Sequence, residues 1–521
     1  MDTKALRQKI LDLAIRGKLV PQDPNDEPAS VLLGRIRQQK QQMVKEGKLK
    51  PKDIKNDSVI FVGEDNLHYE KFADGSVKCI EDEIPFDLPE GWEWVRLGSV
   101  GDMTLGKMLD VTKNKGTLRP YLRNINVRWG AFELSDVLEM RFEDDELERY
   151  SIRHGDLVIC EGGEPGRCAV WQSEEVVFYQ KALHRVRAIE VLPEFLYYVI
   201  RHFIISNQYE RYYTGTTIKH LTGQSLRIIP IPLPPLNEQK LIVEHLQRII
   251  EEIDKIETEK TEALSLVSFA KSKILDLAIR GQLVPQDPDD EPASVLLERI
   301  RAEKEELIKQ GKIKRNKKES IIFRGEDNSY YVRQDTHMES IDEQFIFELP
   351  DNWEWCSLLN IAKIELGKTL DSAKNIGTNY PYLRSVNVRW NEVDLSDLKE
   401  MRFEPEELDR YTVRHNDLLI CEGGDVGRSC VWTDEKEILY QNALHRVRFY
   451  GGCNPFYFMY YMMYYESCGI IKALCKGVTI KHLTGNVLSL IPFALPPIEE
   501  QDRIVKRLNR IFVLLDSIIC D

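Results

Sequence analysis

The chain has 521 residues, with 71 Lys/Arg against 85 Asp/Glu, a formal net charge of −14 and 42% hydrophobic residues. That is length for several domains with sizeable cores, and no stretch approaches the ~20 consecutive apolar residues a membrane span needs. The opening MDTKALRQKI is charged and amphipathic, and none of the ten cysteines forms a C-x-x-C pair, so a soluble cytoplasmic protein with reduced core cysteines is expected.

In chain order, Leu6, Ile10 and Leu13 mark a first helix, stopped at Gly17 and the prolines of GKLVPQDP. A second helix opens at Asp26-Glu27-Pro28, carries Val31, Leu32, Leu33 and Ile36 on one side, and ends near Gly47. Lys48, Lys50, Lys52 and Lys55 then form a solvated linker. From about residue 60 to 235 the pattern changes to short β-rich runs between Gly, Asp and Asn turns, with a few helices such as PEFLYYVIRHFI. A long helix follows over 237–280. Its apolar positions are Ile242, Leu246, Ile249, Ile253, Ile256, Ala263, Val267, Ala270, Ile274 and Leu277. This four–three spacing is that of a coiled-coil seam, and its 36 residues span about 54 Å.

The same order of elements then recurs. Leu11 to Arg37 matches Leu275 to Arg301 at 24 of 27 positions, and Tyr121 to Trp171 matches Tyr382 to Trp432 at 32 of 51. TIKHLTG at Thr217 returns at Thr479, and the C-terminal tail repeats the first half of the long helix with Ile504, Leu508, Ile511, Leu515 and Ile518. The second copy of that helix is thus divided between the two chain ends. The expectation is a pseudo-twofold duplication with circularly permuted ends, in which the continuous helix packs antiparallel against the divided one and the termini lie close together. The expected segments are 1–58 and 498–521 (the two parts of the divided helical region), 236–318 (the central helical region), and the α+β domains 59–235 and 319–497.

The motifs point to binding rather than catalysis. Neither G-x-x-x-x-G-K-[ST] nor H-E-x-x-H occurs, and Asn454-Pro455-Phe456 lacks the second proline of an amino-methyltransferase motif. CEGGEPGR (Cys160 to Arg167) reads as a tight strand-to-strand turn whose arginine reaches back to Glu161 or the backbone, and His184 and His445 as structural histidines. Despite the acidic total, Thr104 to Arg128 holds six basic residues against Asp110 alone, a stripe suited to a phosphate backbone. Candidate DNA contacts are Lys107, Lys113, Arg123, Asn126, Arg128, Thr217, Lys219 and His220, with Lys368, Lys374, Arg384, Asn387, Arg389, Thr479, Lys481 and His482 in the second copy. These residue types pair with base edges and phosphates when loops present them. No metal site is expected.

IPFDLPEGWEWVRLGSV (from Ile84), its echo IFELPDNWEWCSLLNI (from Ile346), GDLVICEGG…GR, QKALHRVR and TIKHLTGQSLRIIPIPLPPLNEQ together resemble the specificity subunit of type I restriction–modification enzymes, over the whole chain. The resemblance implies two target-recognition domains, each reading half of a bipartite double-stranded DNA site, with the helices as spacer. It also implies two methyltransferase (M) subunits bringing S-adenosylmethionine, and motor–nuclease (R) subunits bringing ATP and magnesium, with no cofactor and no catalysis in this chain. Domains this similar are expected to read an imperfect palindrome. The recognition half of a type IIB-like enzyme and a coiled-coil protein-binding adaptor are the alternative readings.

Overall fold

The computed structural model describes residues 2–520 apart from 56, 111, 216–218, 316–318, 335–336, 342–346, 372, 374 and 476–481. It divides into two compact units, Met1–Glu259 and Lys260–Asp521. No helix among the described residues is long and apolar enough to cross a membrane.

In the first unit, Asp2 accepts from the backbone of Ala5 to start helix α1 (Thr3–Ile15). Helix α2 (Ala29–Lys45) follows, then the short α3 (Pro51–Ile54). Strands β1 (Val59–Val62), β2 (His68–Lys71) and β3 (Val77–Cys79) form an antiparallel sheet, and β4 (Glu93–Arg96) enters the main domain. Next come β5 (Gly101–Leu105), β6 (Thr117–Leu122), β7 (Val127–Arg128), β8 (Ala131–Phe132), β9 (Leu138–Phe142) and β10 (Ser151–Ile152). They are followed by β11 (Leu157–Cys160), β12 (Cys168–Val170), β13 (Val177–Tyr179) and β14 (Leu183–Ala188). Helices α4 (Pro193–Ile205) and α5 (Gly223–Arg227) lead to β15 (Pro230–Leu233), which pairs with β4.

Two four-stranded sheets result, ordered β12-β11-β14-β5 and β10-β13-β6-β9, the second containing one parallel pair, β13 with β6. Alternation is nearly absent in β11, β12 and β13, whose residues are all buried, because both faces of these strands are covered. The main core joins Leu11, Ala14 and Ile15 of α1 and Leu32 and Ile36 of α2 to Val186, Phe195 and Leu246.

Helix α6 runs from Leu236 to Ile279. Within the first unit its opening lies antiparallel to the N-terminal segment: Gln22 donates to Glu238 at 2.9 Å, and Arg7 pairs with Glu257 at 3.0 Å. The second unit repeats this with Lys260 onward, where Arg503 pairs with Asp290 at 2.6 Å and Lys271 with Asp516 at 2.5 Å across the C-terminal helix Ile498–Cys520. Helix α7 (Ala293–Lys309) and sheets ordered as in the first unit complete it.

The seam differs in detail from the sequence pattern. Ile242, Leu246, Ile253 and Val267 are buried, but Ile256 and Leu277 are 40% and 39% exposed. The buried face at the end of each copy is Leu275, Ala278 and Ile279, matched by Leu11, Ala14 and Ile15. An α-helix drifts about 20° per heptad from a strict 3.5-residue repeat, so the line through 274 and 277 rotates away from the neighbour while its flank rotates in.

His202 on α4 is buried, with Asp12 3.9 Å away and Arg16 also nearby; burial lowers its imidazole to about 4. The unfolded chain binds that proton near pH 6.5. The folded unit therefore loses stability as pH falls below about 6.5, reaching as much as about 3 kcal/mol near pH 4. Tyr464 occupies the equivalent place in Pro455–Ser467. His202→Tyr should flatten the fall in unfolding midpoint between pH 6.5 and 4; an unchanged slope would place the acid sensitivity elsewhere.

Candidate nucleic-acid interface

Five loops of the first unit are hydrogen-bonded into one rim. The turn between β11 and β12 is closed by Cys160 N–H to Arg167 O at 2.8 Å and Gly166 N–H to Cys160 O at 2.9 Å. Glu161 N–H donates to Ala182 O, Leu221 N–H to Glu161 O, and Lys181 N–H to Lys107 O. Asn124 donates its side-chain amide to Gly162 O at 2.8 Å. The approach at Gly106 is close enough to demand glycine, since a Cβ there would sit 2.2 Å from Gln180 O, while Gly162 lies against the exposed His220 ring. The second unit repeats this, with Glu422 donating to Ala443 O, Leu483 to Glu422 O and Asn442 to Lys368 O, and with Gly367 2.1 Å (as a Cβ) from Gln441 O.

Arg167 donates to Glu164 at 2.7 Å and to Asn124 O at 2.9 Å, so its partners are Glu164 and a carbonyl rather than Glu161. His184 is buried against Leu221 O at 3.0 Å and His445 against Leu483 O at 2.9 Å; burial lowers both imidazoles, which hold loops in place as structural histidines.

The candidate contacts divide into two groups. Arg123 donates to Asp136 O and its carboxylate, both at 2.8 Å, and Arg384 does the same with Asp397 at 2.7 and 2.8 Å. Asn126 and Asn387 are buried and cap their own turns through the backbone of Arg123 and Arg384. Lys107 is buried over the Phe142 ring between Glu143 and Glu146, and Lys368 over Phe403 beside Glu407. Burial alone would lower the Lys107 ammonium, but the carboxylates hold it above its ordinary value, while Glu146 and Lys107 pull Glu143 down to about 2. Each of these six residues has partners within the fold: Arg123, Arg384, Lys107 and Lys368 pair with carboxylates 13 to 39 residues away that the local motif does not reveal, and Asn126 and Asn387 cap their own turns.

The second group faces solvent. Arg128 and Arg389 are exposed and make no ion pair among the described residues. The Lys113 side chain is 83% exposed with Asp110 3.5 Å away, and Lys219 is exposed beside Glu210 at 3.0 Å. His220 and His482 are exposed on the rim. Thr217, Lys374, Thr479 and Lys481 lie outside the described residues. The rim also presents Gln180-Lys181 and Gln441-Asn442, which the sequence reading passed over. The available signal was a polar pair between two β-rich runs at the same place in both copies.

Two α+β heads, each with a loop-built polar rim that bears an exposed arginine and each carried on a long helix, define a duplicated binding protein. The chain belongs to the family of the type I restriction modification DNA specificity domain, whose sequence profile matches residues 89–266 and again 350–518. It is similar to the specificity subunit of type I restriction enzyme EcoAI of Escherichia coli, 26% identical over 578 residues, covering 98% of this chain and 88% of that one. Against the EcoEI specificity subunit of Escherichia coli the identity is 25% over 599 residues, covering 99% and 90%. Its fold is similar to that of a chain solved in a study of complex assembly and conformational transition of the type I R-M system, with a TM-score of 0.55 at 20% identity over 84% of this chain and 93% of that one. Its activity is DNA recognition within a type I restriction–modification system, and the chemistry belongs to other subunits.

The two groups respond differently to mutation. Lys107→Ala should lower unfolding stability by on the order of 2 kcal/mol, since it strands two carboxylates. Arg128→Ala should leave the unfolding midpoint unchanged and reduce the salt slope of DNA binding by about 1. Calorimetry and salt titrations separate these outcomes, and a reversal of the two would refute the division.

Proposed function

We propose that each unit reads one half of a bipartite double-stranded DNA target and that the halves form an imperfect palindrome. The observation that carries this is the rim itself, which recurs in both units with the same backbone hydrogen bonds joining its loops. Surfaces so alike select similar base sequences, and single wrong bases typically cost about 1–3 kcal/mol, so the differing side chains can still distinguish individual positions.

In this reading the helices set the spacing. The 44 residues of α6 extend about 66 Å, against about 34–36 Å between half-sites one DNA turn apart. Leu264, Leu266, Phe269, Val513, Leu514 and Ile518 are exposed on the helical region of the second unit. Apolar residues left open in this way suit docking of partner subunits. The partners are two methyltransferase (M) subunits, which supply S-adenosylmethionine chemistry, and motor–nuclease (R) subunits, which supply ATP- and magnesium-dependent chemistry, all in the cytoplasm. This chain contributes position and sequence choice.

Hydroxyl-radical footprinting of the complex with its M subunits should show two protected segments about one helical turn apart. Deleting one heptad from α6, with the matching residues from the divided helix, should change the gap and leave the bases in each half unchanged. One continuous footprint, or altered base preference after the deletion, would overturn the reading.

A further inference from the structure

At the centre of each rim is a three-residue turn, Gln180-Lys181-Ala182 between β13 and β14, and Gln441-Asn442-Ala443 between Ile438–Tyr440 and Leu444–Phe449. Its backbone is fixed. Gln180 forms a parallel bridge with Lys107 and Gln441 with Lys368, while Lys181 and Asn442 donate to those lysines' carbonyls at 2.6 and 2.8 Å. Ala182 and Ala443 have φ of +134° and +74°, a conformation that L side chains rarely adopt and that the surrounding hydrogen bonds impose. Strain of this kind persists where the surroundings over-determine the backbone, and it clusters at functional sites.

The side chains beside the strained alanines are uncommitted. Gln180, Lys181, Gln441 and Asn442 make no side-chain hydrogen bond or ion pair among the described residues, and Lys181 is exposed. This contrasts with Asn126, Lys107 and Arg123 on the same rim, whose side chains are bonded to Glu133 O, to Glu143 and to Asp136. A turn held rigidly with its polar groups unsatisfied suits an external hydrogen-bonding partner.

The two copies of the turn differ at one residue. Lysine carries donors only, and guanine presents two acceptors, O6 and N7, in the major groove; asparagine carries one donor and one acceptor, matching N7 and N6 of adenine. We infer that Lys181 selects guanine in one half-site and Asn442 selects adenine at the corresponding place in the other, while Gln180 and Gln441 contact the same base in both. The inference rests on the half-site reading and specifies one base by which the palindrome is imperfect.

The test compares methylated motifs in hosts expressing the wild-type chain, Lys181→Asn or Asn442→Lys with the M subunits. Each variant installs a residue that the equivalent turn already carries. Lys181→Asn should shift one guanine to adenine by about tenfold or more in methylated fraction, leaving the other half-site unchanged, and Asn442→Lys should do the reverse. A uniform loss of methylation without a base change would make Lys181 a phosphate contact and overturn the assignment while leaving the half-site reading intact. A wild-type motif that is not bipartite would overturn both.

Discussion

The architecture depends on one buried carboxylate, present twice. Glu238, in the first turn of α6, accepts the Trp92 indole N–H at 2.8 Å and the Gln22 amide at 2.9 Å. Glu500, at the start of the C-terminal helix, accepts from Trp353 at 2.9 Å and Gln286 at 2.6 Å. Burial raises both carboxyls, and the two donors in each case oppose it. Each carboxylate ties three segments together: the long helix, the tryptophan that leads into the recognition domain, and the Gly-Pro segment after the neighbouring helix. Removing the acceptor would leave an indole and an amide unpaired in a buried site, which is more costly than the loss of the hydrogen bonds alone.

That junction explains how a loop-built rim can be rigid. The β4–β15 pair and α4 pack directly on the helical region through Trp94, Ile231 and Phe195. The sheet β12-β11-β14-β5 then carries the order outward to the turns at 161–166 and 180–182. Ion pairs onto buried carboxylates, Arg187 with Asp156 and Arg448 with Asp417, brace these sheets in both units. Recognition by hydrogen bonds needs such bracing, because base discrimination depends on donors and acceptors held in fixed positions.

The duplication was legible because Leu11 to Arg37 and Leu275 to Arg301 differ at only three positions of 27. The helix ends were legible from Pro28 and the Gly17 stop, since α2 begins at Ala29 and α1 ends at Ile15. The seam was legible only in part, because helical drift moved burial from Leu277 to Leu275, Ala278 and Ile279. The site was less legible still. Arg123 and Lys107 read as free cations in the sequence, and the fold brings Asp136, Glu143 and Glu146 against them. Conversely, Lys181 lies in QKALHRVR, which marks the repeat but not an unpaired side chain, and the backbone strain at Ala182 arises only from hydrogen bonds that the fold creates.

The central claim is that duplication of the protein is read out as near-duplication of its target. Long-read methylation sequencing of a strain expressing the wild-type chain with the proposed methyltransferase subunits tests this most directly. The account predicts one split motif whose halves are inverted and match except at a few positions. A continuous motif, or two halves without related sequence, would contradict it.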